Sequence, residues 1–322
     1  YDYNPRRRDM GYHNIHDRYI ELLDKYGKYK DDIQWHFHPM SHYKEAHRAG
    51  KSYEHSETLY QILSRRIIDR NFFPSVFRAG CVTERPDANW FLEQWIPFDC
   101  SNFAVENENK EQYRDQRNGQ AGDWRRAPSD WRIYHPDFYD YQKEGGCHRS
   151  IGRFLNIVSR YGNITSYEIE KAFQRANEGL PTLLGIFNHD FRNMGNEIEY
   201  FCDLLYDISR KYNNVSFKFA TAKEAFNAVL QNKLSEFDLN VRLKGNELYV
   251  DTIKGCVFGP QPYLAIKTKS GKYIHDNFDF GLDGKSWSYV FDENMIKFED
   301  VDTIGVAAND MCGQVSLKCI KA

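Results

Sequence analysis

No stretch of the 322-residue chain is apolar for long enough to cross a bilayer, and its mean hydropathy of −0.72 agrees; a spanning helix needs about 20 apolar residues. No Cys-x-x-Cys pair occurs among the seven cysteines, which are odd in number and scattered from Cys81 to Cys319. That usage fits free thiols in a reducing compartment better than a disulfide framework and points to the cytoplasm. Charge of one sign is also lacking. Lys and Arg total 43 against 46 Asp and Glu, the net charge is −3, and Arg6-Arg7-Arg8 is the only dense basic run, which argues against an extended nucleic-acid surface. No signal peptide is visible, and a first residue of Tyr1 rather than Met leaves room for a segment upstream. What the chain does have is core-forming material: 41% hydrophobic and 16% aromatic residues suit one large domain and a small one.

Apolar periodicity divides the chain at about residue 233. Helical spacing covers His13 to Tyr26, Tyr53 to Arg70, Asp87 to Trp95, Ser166 to Asn177, 195–212 and Ala222 to Gln231, the last capped by Thr221. Strand-like runs fall between these helices: Ile33 to Phe37, Val76-Phe77, a run ending at Asp99, Ile151 to Val158, Thr182 to Phe187, and Val215-Phe217-Phe219. Alternating strands and helices with crossover lengths predict an α/β domain with parallel pairing over residues 1–233. From Leu234 the grammar changes to short alternating runs separated by turns such as Lys244-Gly245-Asn246 and Asp283-Gly284-Lys285. This predicts a small all-β sandwich over 234–322, either a carbohydrate-binding or assembly module or a scaffold packed on the main domain.

The most informative stretch is Asp32-Ile33-Gln34-Trp35-His36-Phe37-His38-Pro39. Side chains alternate along a strand, so His36 and His38 share one side, and a pair of imidazoles placed so suits a divalent metal. Pro39 ends the strand, and His42 and His47 follow, putting four of the eleven histidines within twelve residues. A second apolar strand ends in Asn188-His189-Asp190, at the rim where parallel α/β folds carry their active sites. The irregular segment 104–150 includes Trp124, Trp131, Tyr134 and His135 interleaved with Arg and Asp. Those side chains could line a carbohydrate cleft, since sugar rings offer C–H faces to aromatic rings, or they could simply pack a long insertion.

Several of these stations together resemble the polysaccharide deacetylase family, the NodB-homology or carbohydrate esterase 4 class. Asp32 to His36 resembles its strand and first metal histidine, Phe77-Arg78-Ala79-Gly80 its arginine motif, Phe98-Asp99-Cys100-Ser101 the strand and carboxylate that follow, and Leu184 to Asp190 its last motif. The match covers roughly 15–230, and His-x-His-Pro looks like a divergent branch associated with surface-polysaccharide genes. The resemblance implies a distorted (β/α)7 barrel. It also implies a metal-dependent hydrolase, acting on a non-peptide C–N or ester bond, that removes acetyl groups from a carbohydrate.

The implied metal is Zn2+ or another first-row divalent ion held by His36 and His38, with His42 in reserve, because Met40 stands where the family's second histidine would fall. Arg78 would orient an aspartate base. His189 would be the general acid, with Asp99 or Asp190 setting its tautomer. One family motif is missing: no strand ending in two aspartates precedes the histidines. A non-catalytic, deacetylase-like glycan-binding protein is the alternative, and a glycoside hydrolase ranks last for want of a pair of carboxylates.

Overall fold

The structure is a computed structural model, and it describes residues 12–27, 31–38, 53, 57–106, 122–158, 163–189 and 193–322. Five short parallel strands, β1 (Trp35–Phe37), β2 (Val76–Ala79), β3 (Phe98–Asn102), β4 (Ser150–Asn156) and β5 (Gly185–Phe187), form one sheet in the order of the sequence. Helix α1 (Tyr12–Lys25) precedes them. Between or after the strands come α2 (Glu57–Arg70), α3 (Pro86–Trp95), α4 (Ser166–Asn177) and α5 (Gly195–Ser209). Right-handed crossovers in an order that never reverses put all the connecting helices on one face. Accordingly, Trp35, Phe37, Phe77 and Ala79 pack with Leu59, Leu63 and Ile67 of α2 and Phe91 and Leu92 of α3. Farther along, Ile151, Leu155 and Ile186 pack with Phe173 of α4 and Phe201 and Leu205 of α5.

The opposite face is concave. The Arg78 guanidinium on β2 lies 3.6 Å from the centre of the Phe187 ring on β5, although three strand spacings of about 4.8 Å would hold them roughly 14 Å apart in a flat sheet. Only a strongly curled sheet brings both side chains to one place. The lower part of this hollow is filled by α6 (Ala222–Val229), which begins with a capping box in which the Thr221 side chain and Glu224 satisfy each other's backbone N–H groups. From it Phe226 stacks on Phe98 at 4.8 Å. A Cβ on Gly152 would meet Phe226 at 2.9 Å, so this glycine on β4 is what lets the helix settle.

The chain is therefore α/β with a parallel sheet, as expected, but the described residues form no closed seven-stranded barrel: β1 and β5 are the edges of a five-stranded sheet. The sixth strand expected at Val215-Phe217-Phe219 is not a strand. Three alternating apolar residues were too little without a sheet edge to join, and Phe217 instead packs edge-on against Phe173 at 6.0 Å and beside Tyr206 at 5.9 Å.

The antiparallel part begins at Asp238. Strands β6 (Asp238–Lys244), β7 (Glu247–Lys254), β10 (Asp279–Phe280) and β11 (Ser286–Val290) form one sheet in the order β10-β11-β7-β6; β8 (Tyr263–Thr268), β9 (Tyr273–Asp276), β12 (Val301–Asn309) and β13 (Val315–Lys321) form a second, β13-β12-β8-β9. Leu248, Val250, Trp287 and Tyr289 of the first sheet share a core with Leu264, Ile266, Ile304 and Val306 of the second. The second sheet is buried on its other face as well, since Tyr263, Ala265 and Ala307 join the cluster around α2. Gly305 permits that contact: a Cβ there would lie 2.5 Å from Ile67 and 3.1 Å from Ile68. No helix among the described residues is long and apolar enough to cross a membrane, and all seven cysteines are free thiols.

Two consequences can be measured. Gly305→Leu is expected to wedge α2 off the second sheet and cost about 2 kcal/mol or more in urea denaturation. His275 stacks between Tyr263 (4.1 Å) and Tyr60 (4.9 Å) at the same contact, and donates from Nδ1 to the Leu264 carbonyl. Burial pulls its pKa from 6.5 down to about 4. Between those values the unfolded chain binds a proton that the folded chain refuses, so stability is present above pH 6.5 and falls as pH drops toward 4. The His275 share, on the order of 3 kcal/mol, should vanish from the pH dependence of the melting temperature in His275→Phe.

Candidate functional site

Strand β1 alternates buried, exposed, buried: Trp35 and Phe37 enter the helix-side core, and His36 points into the hollow. His36 pairs in register with Arg78 on β2, so the two share a face. His36 Nδ1 donates to the Arg78 carbonyl at 2.9 Å, leaving the lone pair on Nε2. That Nε2 faces His38 Nε2 at 2.9 Å, with the rings edge to face. Cys81 Sγ lies 3.9 Å from His38 Nδ1. One edge of the His36 ring reaches solvent, yet burial of the rest, the Arg78 charge and His38 together lower its pKa from 6.5 to about 3. It is neutral throughout the physiological range, as a metal ligand must be.

Two Nε2 atoms at this distance can share a proton, donated by His38 to His36. A tetrahedral ion with ligand bonds of about 2.0–2.1 Å would hold the nitrogens roughly 3.3 Å apart, so the pair would open by a few tenths of an ångström to take one. The Nδ1–H bond to a backbone carbonyl is also the support that metal-bound imidazoles usually have. The pair therefore fits a divalent ion, although no third His, Cys, Asp or Glu joins it among the described residues. Gly80 seats the second ring: a Cβ there would lie 2.3 Å from His38 Cγ and 2.7 Å from its Cα. Next to it the backbone turns sharply, with positive φ at both Cys81 (52°) and Val82 (49°), a conformation that a β-branched valine rarely adopts.

His189 stands two residues beyond the end of β5, and its charge is felt at His36, so the sheet's curl brings the two loop ends together. His42 and Asp190 lie outside the described residues. Asp99 is placed differently from the role expected of it. It pairs in register with Phe77, on the helix side of the sheet, opposite His36 and Arg78. There it is fully buried with Arg149 and Glu84: Arg149 donates to Asp99 Oδ2 and, at 2.8 Å, to Glu84 Oε2, while Asp99 Oδ1 accepts from the Ser101 N–H at 2.7 Å. Burial, only partly offset by Arg149, raises the Glu84 pKa well above the carboxylate range. Strand alternation thus turns Asp99 from a partner of His189 into one member of a buried ion cluster with Arg149 and Glu84.

The aromatic insertion also needs correction. Trp124 and Trp131 are 1% and 0% exposed, and their indole N–H groups donate to the carbonyls of Val82 and Glu168. The face of Trp131 is covered by the Arg153 guanidinium at 4.3 Å, which is itself held by Glu168. Tyr134 is buried and donates its hydroxyl to the Tyr141 carbonyl at 2.6 Å. Of the four residues expected to contact substrate, only His135 is exposed, and its Nδ1 donates to the Arg149 carbonyl at 3.0 Å. These side chains are packing, because a long connection from β3 to β4 must bury its own core. The exposed aromatics are instead Phe138 and Tyr139, at 47% and 71%, grouped on Trp90.

No protein-family model, curated protein or solved structure matches the chain. The site therefore stands on its geometry and on the motif resemblance. Glu84 and Arg149 carry no signal in the sequence, and Gly80 stands out only as the end of the arginine motif.

The ion cluster makes a stability prediction. Arg149→Met keeps the length but leaves two acids buried without a cation, and a loss of about 3–5 kcal/mol is expected in urea denaturation. Adding Glu84→Gln and Asp99→Asn to that variant should recover a substantial part, because the uncompensated charge is then gone.

Proposed function

We propose that the chain is a metal-dependent hydrolase that removes an acetyl group from an N- or O-acetylated sugar, in the manner of the polysaccharide deacetylases it resembles, and that it serves surface-polysaccharide synthesis. The observation that carries this reading is the convergence of the His36 and His38 Nε2 atoms, 2.9 Å apart at the C-terminal end of a parallel strand. In support, His189 lies at the end of β5, close enough to act on His36, and the sequential, curled sheet has the winding of a barrel.

In this reading His36 and His38 hold the ion, with His42 the third histidine that the sequence offers. A divalent ion bound there polarises the acetyl carbonyl and acidifies a bound water. Each residue then has one task. The Arg78 carbonyl fixes the tautomer of His36, Gly80 holds the His38 ring in place, and His189 delivers a proton to the departing amine or alkoxide.

A second reading, a deacetylase-like protein that binds glycan without cleaving it, draws on a different surface. A cavity of about 590 Å3 lies between Phe138, Cys147 and His148 of the insertion and Phe258 and Pro260 of the antiparallel part. Phe138 stacks on Trp90 at its edge. His148 precedes β4, so this surface sits at the end of the sheet away from His36.

Metal analysis and acetate release from a panel of acetylated glycans separate the two. The hydrolase should carry about one metal per chain and lose its activity to a chelator. His36→Ala should lose metal and activity together, and His189→Ala should keep the metal while kcat falls by about 10²–10⁴. A protein without metal that releases no acetate, yet retains glycan in a binding assay, establishes the second reading.

A further inference from the structure

Arg78 differs from every other buried arginine around it. Arg149 and Arg153 are each gripped by carboxylates. Arg78 makes no ion pair with any described residue, and its Nε is shut off from solvent without a hydrogen-bond partner. The nearest influences on its charge are Cys100, Cys81 and Asp99, and Asp99 is already committed to Arg149 on the other face of the sheet. Among the described residues the Phe187 ring supports it, covering one flat face at 3.6 Å. Loss of hydration brings its pKa down to about 10, so it keeps its charge at neutral pH.

A charged guanidinium packed in this way is costly unless an anion completes it. With one face covered by Phe187, the in-plane edge is what remains for a partner, and that edge matches a planar carboxylate through paired N–H···O bonds. The charge balance points the same way. Among the described residues no lysine or second arginine acts on Arg78, so one negative charge matches this guanidinium where a phosphate dianion would overfill it.

We propose that Arg78 is a ligand-binding residue that takes a monocarboxylate into the hollow beside His36 and His38. The inference rests on the deacetylase reading for the identity of the ligand, which is either the acetate released by hydrolysis or the carboxylate of an acidic sugar. It departs from that reading in giving Arg78 this carboxylate in place of an aspartate base, since no aspartate pairs with it among the described residues. Both present the same group to the guanidinium.

Thermal melting of the full chain tests this, with metal removed by chelation and at constant ionic strength, in chloride, acetate, glucuronate or phosphate. In the wild type, acetate or glucuronate should raise Tm by about 2–4 °C over chloride at saturating concentration, with phosphate well below both. A response to acetate alone identifies the product, and a larger response to glucuronate identifies an acidic substrate. Arg78→Met should abolish the response and melt in chloride at or above the wild type, because it removes an unpaired buried charge. Arg78→Lys, which keeps the charge without the paired geometry, should fold and show a smaller carboxylate shift.

Three results overturn the proposal: equal melting in all four salts, a phosphate shift as large as that of acetate, or an Arg78→Met protein that melts well below the wild type in chloride. The last would mean that the guanidinium already has a carboxylate of the chain. Failure of the hydrolase reading looks different. A chain that binds no metal and releases no acetate but keeps an Arg78-dependent carboxylate shift retains the pocket and loses the enzyme.

Discussion

Strand pleating on a curled sheet decides which chemistry meets which. On β1 to β3 every second side chain faces the helices and the others face the hollow, so His36 and Arg78 come together while Asp99, one residue out of phase, is sent to the opposite side. The curl then carries the end of β5 across to β2, and Phe187 meets a guanidinium three strands away. Without the curl the histidines, the arginine and His189 would sit on separate strand ends. Without the pleat, Asp99 would neutralise Arg78 and the hollow would have no charge to offer.

Much of this was legible in the sequence because it follows from local periodicity. The helices, the change of grammar near residue 233 and the shared side of His36 and His38 all come from counting apolar positions. What could not be read was anything that depends on which elements become neighbours. Asp99 looked like a partner for His189 because both end strands; its register, which only the folded sheet defines, gives it to Arg149. Trp124 and Trp131 looked like sugar platforms because aromatic residues among charged ones suit either role, and only the burial of their faces distinguishes the two. The run at Val215 to Phe219 alternated as a strand does, but alternation describes one strand and not the edge it requires.

The buried charges follow a consistent plan. Arg149 with Glu84 and Asp99, and Arg153 with Glu168, tie the irregular connection between β3 and β4 to the helices and strands beside it. Each lies on the helix side of the sheet, where the charges are paired within the protein. The hollow is the exception: among the described residues its cation has no carboxylate and is covered by a ring face.

The central strands β12 and β8 of the second sheet have no solvent face to spare, being pressed on one side by the partner sheet and on the other by α2. An accessory module that travels between proteins by recombination must carry a closed surface, so that it can be cut out and joined elsewhere. This one shares its core with a helix from the first third of the chain and meets it through a glycine that has no room for a single methyl group. The two halves are thus fitted to one another side chain by side chain, and the size of residue 67 sets how closely the second sheet can approach at Gly305.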